Sequence, residues 1–69
     1  MKFNYSKLLG RFREYGFSQK EVAARIGIQP STLSQKLKNK ATFTSSEIDS
    51  MCKLLNIAKE EIGIYFFTV

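Results

Sequence analysis

The sequence lacks histidine and tryptophan, and it contains only one cysteine, Cys52, and one proline, Pro30. A single thiol excludes an intrachain disulfide. Without histidine, neither a zinc shell nor the usual base of a serine or cysteine catalytic triad can be assembled. We therefore expect a protein that is not an enzyme and that needs no metal or cofactor.

Long hydrophobic runs are also missing. The longest fully apolar stretch is Ile64–Phe67, which is far too short to cross a bilayer. The polar residues near the start of the chain do not resemble a secretory signal. We therefore expect a cytoplasmic protein without membrane contact, in which Cys52 stays reduced.

Positive charge is concentrated in the first 40 residues. The formal net charge is +5, with nine Lys or Arg against two Glu in residues 1–40 and two Lys against four acidic residues in 41–69. The two parts therefore carry +7 and −2. This asymmetry indicates an anionic partner for one face, although a solvated basic surface would give the same composition.

Five helix starts share one signature, an apolar residue before the N-cap paired with another at the fourth helical position. The N-caps predicted in this way are Asn4, Ser18, Gln29, Thr44 and Ala58. Glu21 and Glu47 complete capping boxes with Ser18 and Thr44. The residues expected to end helices in a left-handed conformation are Gly16, Gly27, Asn39 and Asn56. Because the apolar spacing is helical throughout, the sequence predicts an all-α fold of five short helices in one domain, residues 1–69.

The segment from Gln19 to Lys38 resembles the helix-turn-helix of the Cro/CI-type (lambda-repressor-like, XRE) phage regulators. The resemblance rests on small Ala23 inside the first helix, on Gly27 in the turn, and on an apolar set that fixes the angle between the helices: Val22, Ile26, Ile28 and Leu33. It implies a lambda-repressor-like DNA-binding domain with a helix-turn-helix at helices 2 and 3, residues 18–39. Ser31–Lys38 would then form the recognition helix in the major groove.

Two residues depart from the family pattern. Gln29 stands where a stronger capping residue is usual. Pro30 occupies a position from which the family often reads a base, and proline has no side-chain donor. Base readout must therefore come from neighbouring positions.

The candidate base contacts follow from the angular positions of the side chains on the recognition helix. Leu33 and Leu37 define the buried direction, and the outward face then holds four polar residues: Ser31, Thr32, Gln35 and Lys38. Gln35 can form two hydrogen bonds with an adenine edge, and Ser31 and Thr32 can contact several bases. We therefore predict base contacts by Ser31, Thr32 and Gln35, although a polar outward face is expected of any surface helix.

The candidate phosphate contacts rim the same groove: Gln19, Lys20, Lys36, Lys38, Lys40 and Thr42. Gln19 and Lys20 open the preceding helix, whose positive end favours a phosphate. Lys36 is unusual, because related sequences carry an apolar residue there. It should lie about 80° from the buried direction, so we expect its stem to pack against the core while its amine reaches outward.

The resemblance implies a transcriptional regulator of a phage lysis–lysogeny switch that binds double-stranded operator DNA at the host nucleoid. The 69 residues hold no second domain, which favours the short, Cro-like type of regulator. The alternative is an interaction module that binds the opposing repressor, as modulators of repression do, through its recognition helix or its acidic C-terminal half. An antitoxin is a third interpretation, but it usually needs an extension for the toxin. A homodimer is a further predicted partner, because residues 64–69 either complete the core or leave an apolar face for pairing.

Overall fold

The computed structural model describes residues 2–69, which form five α-helices and one 3-10 turn. The helices are α1 (Ser6–Glu14), α2 (Gln19–Ile26), α3 (Pro30–Leu37), α4 (Ser45–Leu55) and α5 (Ile62–Phe66). The 3-10 turn, Lys59–Glu61, leads directly into α5. No strand occurs among the described residues. The predicted all-α fold of five short helices is therefore confirmed.

Two capping boxes start α2 and α4, as predicted. The Ser18 hydroxyl accepts from the Glu21 N–H at 3.1 Å, and the Glu21 carboxylate accepts from the Ser18 N–H at 3.0 Å. Thr44 and Glu47 repeat the arrangement at 3.1 and 2.9 Å. Each box satisfies two backbone donors that a helix start leaves without partners, so the sequence fixes where these helices begin.

Two of the other three helix starts differ slightly from the prediction. The N-cap of α1 is Tyr5 rather than Asn4, and the Asn4 side chain instead accepts from the Ser6 N–H at 2.9 Å. Ala58 precedes the 3-10 turn and not an α-helix, and the turn leads directly into α5. The third start is as predicted, with Gln29 as the N-cap and Pro30 at the first helical position, and α3 ends at Leu37 with Lys38 as its C-cap.

All four residues predicted to end helices have a left-handed backbone. Their φ angles are 71° at Gly16, 80° at Gly27, 64° at Asn39 and 53° at Asn56. Gly27 ends α2 and opens the turn to α3, where a residue with a Cβ would be strained. These residues therefore fix the lengths of the connections as well as the helix ends.

The core lies between the five helices. Its buried apolar residues are Tyr5, Leu8, Phe12, Val22, Ala23, Leu33, Met51, Leu55, Ile57 and Phe66. The Phe43 ring meets the Tyr5 and Phe66 rings edge to face, with centroids 5.5 and 5.7 Å apart. Phe66 thus completes the core, whereas 51% of Phe67 is exposed. No helix among residues 2–69 has the length and hydrophobicity that a membrane span requires.

Candidate functional site

The helix-turn-helix is formed by α2 and α3 and the three-residue connection between them, residues 27–29. Ala23 in α2 and Leu33 in α3 are fully buried. The Ile28 N–H donates to the Ala23 carbonyl at 3.0 Å, which closes the end of α2. The small side chain of Ala23 and the tight turn let α3 cross α2 closely and present one face to solvent.

The outward face of α3 carries the polar residues expected there. Ser31, Gln35 and Lys38 are exposed, and their spacing of three or four residues places them side by side along the helix. Thr32 is only half-exposed, at the edge of this face. The structure therefore brings the three predicted base contacts together, and their contact with DNA stays a prediction.

Lys36 differs from its predicted environment. Only 7% of the residue is exposed, and its amine donates to the Glu47 carboxylate instead of reaching outward. The reason is that Glu47, in the first turn of α4, places a carboxylate within reach of the Lys36 amine. The expectation of an outward amine is wrong, and in this arrangement the Lys36 ammonium is not available to a phosphate.

The Glu47 carboxylate both caps the start of α4 and pairs with Lys36 of α3. Its Oε1 atom accepts from Lys36 in α3 and, at 2.9 Å, from the Thr44 N–H before α4. Burial favours the neutral acid, but the hydrogen bonds from Lys36 and Thr44 outweigh burial and lower the pKa of Glu47 below its ordinary value. Glu47 therefore stays ionised and links α3 to α4.

The remaining predicted phosphate contacts lie on the surface. Gln19 and Lys20 are exposed in the first turn of α2, and Lys38, Lys40 and Thr42 are exposed after α3. Within residues 2–69, the three exposed lysines of this group take part in no ion pair. We call Gln19, Lys20, Ser31, Gln35, Lys38 and Lys40 the α2–α3 face. It has the composition of a surface that binds an anionic partner.

Asn39 has a second role that the sequence did not reveal. Its side-chain carbonyl accepts from the Phe3 N–H at 2.8 Å, and its amide donates to the Phe3 carbonyl at 2.9 Å. Asparagine was expected there only as a helix-ending residue, and no sequence signal links it to a backbone group 36 positions away. The paired hydrogen bonds fix the N-terminal segment beside the end of α3.

Arg11 also uses its charge inside the protein. Its guanidinium donates to the backbone carbonyls of Leu55 and Asn56, both at 2.9 Å, and so caps the C-terminal end of α4. It also lies over the Tyr15 and Tyr65 rings, at 5.3 and 5.9 Å from their centroids. A cation at this end of a helix is favoured by the helix dipole. Arg11 is therefore a structural residue and not part of an anion-binding surface.

A second surface feature lies on the C-terminal part of the chain. A groove of about 660 Å³ separates one side of α4 from the segment that includes the 3-10 turn and Phe67. Its apolar lining comes from Ile48, Cys52, Ile57, Ile62 and Phe67, and its rim includes Ser45, Asp49, Lys53 and Lys59. We call this feature the α4 groove. The helical spacing of the apolar residues in the sequence did not reveal it.

The described part of the chain contains no cluster of side chains suited to binding a metal ion. No group of three or more His, Cys, Asp or Glu residues could hold a metal ion among residues 2–69. Burial raises the pKa of the Cys52 thiol, and the Asp49 carboxylate adds to this effect. The two surfaces defined above are formed by hydrogen-bonding, charged and apolar side chains.

Taken together, the helical fold, the polar α2–α3 face and the α4 groove are features of a small recognition domain. The chain belongs to a family described as a protein of unknown function (DUF739), whose model matches residues 1–69. Curated protein sequences give no match.

One solved structure is similar over nearly the whole chain. It is the solution structure of the modulator of repression (MOR) of the temperate bacteriophage TP901-1 from Lactococcus lactis. The two chains share 34% sequence identity with a TM-score of 0.82, over 97% of this chain and 90% of that chain. The expected resemblance to small phage regulators is confirmed. Membership of the Cro/CI-type regulators in particular is not.

Proposed function

We propose that this protein is a phage regulator that binds the opposing phage repressor and modulates the repressor's binding to DNA. It would act in the host cytoplasm by binding alone, without catalysis, metal or cofactor. The observation that carries the proposal is the similarity to a modulator of repression over 97% of the chain. The similarity includes α4 and α5, and it is therefore not limited to a shared helix-turn-helix.

The recognition helix supports this preference over independent operator binding. Pro30 occupies the first helical position, and the Gln29 side chain makes no capping hydrogen bond. Lys36 points into the protein, and Thr32 is half-buried. Four of the positions on and beside α3 are thus poorly suited to contacting bases or phosphates. An independent regulator depends on such contacts.

Sequence-specific binding to operator DNA is the second candidate function. It is favoured by one observation, the exposed row of Ser31, Gln35 and Lys38 on α3. In that function Ser31, Thr32 and Gln35 would contact bases. The phosphate contacts would come from Gln19, Lys20, Lys38, Lys40 and Thr42. A homodimer would then place two such helices on neighbouring half-sites.

One pair of titrations separates the two candidates. The protein is titrated into the DNA-binding domain of the repressor from the same phage, and separately into duplexes of the intergenic operator region and of a shuffled sequence. We expect a tight protein complex and no preference between the duplexes. A clear preference for the operator, at the 10⁻⁸–10⁻¹¹ M level that is usual for specific binders, would overturn the proposal if the repressor domain did not bind.

The variant Gln35→Ala sharpens the DNA titration. If α3 reads bases, removal of a bidentate hydrogen-bonding side chain should weaken operator binding by about 1–3 kcal/mol and leave binding to shuffled DNA unchanged. Under the proposed function, both duplexes should bind the variant and the parent protein equally well. Far-UV circular dichroism checks that the variant remains helical.

A further inference from the structure

The N-terminal segment adds a third exposed lysine to the end of α3. Asn39 follows α3, and its side chain accepts from the Phe3 N–H at 2.8 Å and donates to the Phe3 carbonyl at 2.9 Å. Lys2 precedes Phe3 in the chain, and Lys38 and Lys40 flank Asn39. Covalent geometry and these hydrogen bonds together place the Cα atom of Lys2 at most about 12 Å from that of either other lysine. We call Lys2, Lys38 and Lys40 the lysine cluster.

The lysine cluster is exposed and has no acidic neighbour in the segments that form it. All three side chains are exposed, and within residues 2–69 none of them takes part in an ion pair. Residues 1–13 and 22–46 contain no Asp or Glu. Like charges brought together without a counter-charge oppose folding, and a bound anion relieves this repulsion. The arrangement therefore favours an anionic partner.

The chemistry of the cluster favours phosphates over an acidic protein surface. Protein interfaces are enriched in aromatic residues, Met and Arg and are depleted in Lys, whereas this cluster consists of lysines alone. An ammonium group on a flexible stem binds a phosphate as a point charge. Each strand of a DNA duplex presents a phosphate about every 3.4 Å along the axis. Three flexible amines spread over about 12 Å can therefore each meet a different phosphate.

We infer that the lysine cluster binds the phosphate backbone of duplex DNA irrespective of base sequence. In this contact Asn39 is a positioning residue, because its hydrogen bonds to Phe3 bring Lys2 to the other two lysines. The inference goes beyond the proposed function, which concerns binding to the repressor. It also adds Lys2, a residue that the helix-turn-helix pattern does not include. Such binding depends on salt, and its Kd is typically about 10⁻⁴–10⁻⁶ M at physiological salt.

The variant Lys2→Ala tests the contact. Binding to a short duplex of shuffled sequence is measured by fluorescence anisotropy between 50 and 200 mM salt. Loss of one phosphate contact should flatten the log–log salt dependence by about one unit, so the fall in affinity across this range should become about three- to fourfold smaller. Lys59→Ala is the matched control, because it removes one exposed lysine from the 3-10 turn. We expect it to change the slope by less than about half as much.

The variant Asn39→Gly tests the positioning. Asn39 has a φ of 64°, which glycine adopts without strain, so the variant removes the hydrogen bonds to Phe3 and keeps the backbone. We expect Lys2→Ala to flatten the salt slope in the parent protein and to have little further effect in the Asn39→Gly background, as in a double-mutant cycle. Thermal unfolding checks that the variants are folded. Lys2→Ala tests the contact by itself, whether or not Asn39→Gly folds.

Three outcomes would overturn the inference. One is a salt slope that Lys2→Ala leaves unchanged or changes no more than Lys59→Ala does. Another is an equal effect of Lys2→Ala with and without the Asn39 side chain, which would show that Lys2 acts as a free chain end. The third is an unchanged slope together with weaker binding of the repressor domain by Lys2→Ala, which would assign the cluster to an acidic protein surface. The proposed function fails separately, if the unmodified protein does not bind the repressor domain.

Discussion

The α2–α3 face and the junction between α3 and α4 both contain lysines, and the two regions use them in opposite ways. On the face, Lys38 is exposed and has no ion-pair partner within residues 2–69. At the junction, Lys36 is buried and pairs with Glu47. Lys36 and Lys38 are only two positions apart, yet Lys38 is available to a partner and Lys36 stabilises the fold. A charge count over 40 residues cannot distinguish the two, and only exposed charge predicts a binding surface.

The largest effect on stability should come from breaking the junction. Lys36→Ala leaves the Glu47 carboxylate partly buried without its cation, which should lower the free energy of unfolding by about 3 kcal/mol. Small domains have a total stability of only about 5–15 kcal/mol, so the urea midpoint should fall markedly. The double variant Lys36→Met with Glu47→Gln keeps the packing and removes both charges, and it should recover most of the loss. An unchanged midpoint in Lys36→Ala would mean that the ion pair does not stabilise the fold.

The next largest effect tests Arg11, the other internal cation. Arg11→Met keeps an apolar stem but removes the two hydrogen bonds to the Leu55 and Asn56 carbonyls, and we expect the free energy of unfolding to fall by about 2 kcal/mol. Arg13→Met on the same helix is the matched control. Arg13 is exposed, and its replacement should change the stability by less than about 0.5 kcal/mol. Urea unfolding of both variants measures the difference, and equal losses would contradict the capping role of Arg11.

The pH dependence of stability should also single out the junction. The pKa of Glu47 is lowered in the folded protein, so the unfolded chain binds a proton more readily. The stabilisation from Glu47 is therefore present above its ordinary pKa, about 4.3, and is lost as the pH falls towards the lowered value. Glu47→Gln should flatten the decline of the unfolding temperature below that pH.

Glu21 provides the control for the pH experiment. Its pKa is lowered mainly by the Ser18 N–H and hydroxyl, but the residue is fully exposed and pairs with no buried lysine. Glu21→Gln should therefore flatten the acid decline less than Glu47→Gln does. The reverse order would show that capping, and not the pair with Lys36, produces the acid dependence.

The smallest effect is expected for the exposed lysines, which should change DNA binding and not stability. Lys20→Ala, Lys38→Ala or Lys40→Ala should each flatten the log–log salt dependence of duplex binding by about one unit for each phosphate that the lysine neutralises. Lys36→Met should leave the slope unchanged. Fluorescence anisotropy between 50 and 200 mM salt, the range over which such slopes are pronounced, gives the comparison. If the salt slope changed in Lys36→Met and not in Lys38→Ala, the assignment of Lys36 as internal and Lys38 as a phosphate-binding lysine would be wrong.

Local signals predicted most of the fold, and contacts between distant segments account for what was missed. The capping boxes at Ser18 and Thr44 depend on residues three positions apart, so the sequence alone locates them. The pair between Lys36 and Glu47 depends on the angle between α3 and α4, which no local pattern specifies. The helical periodicity put Lys36 at the edge of the core but gave no information on which group it would meet there.

For the candidate surfaces, too, local signals succeeded and contacts between distant segments were missed. Exposure of Ser31, Gln35 and Lys38 follows from the angular spacing on one helix, and the prediction of an outward face was correct for them. The α4 groove requires two segments to lie side by side without closing, and apolar residues such as Ile48 and Ile62 look the same in sequence whether they fill a core or line a groove. The spacing of apolar residues predicts which face turns inward, but not how far a neighbouring segment covers it.

The hydrogen bonds of the N-terminal segment have a consequence for the order of folding. The Asn4 N–H donates to the Thr68 carbonyl at 2.6 Å, and Asn39 holds the Phe3 backbone on the other side. Both contacts join residues far apart in sequence, so closing either of them early would cost a large loop entropy. We therefore expect the helices and their turns to form first and this segment to attach late in folding. The amides of Phe3 and Asn4 should accordingly be among the first of the hydrogen-bonded amides to exchange with solvent deuterium.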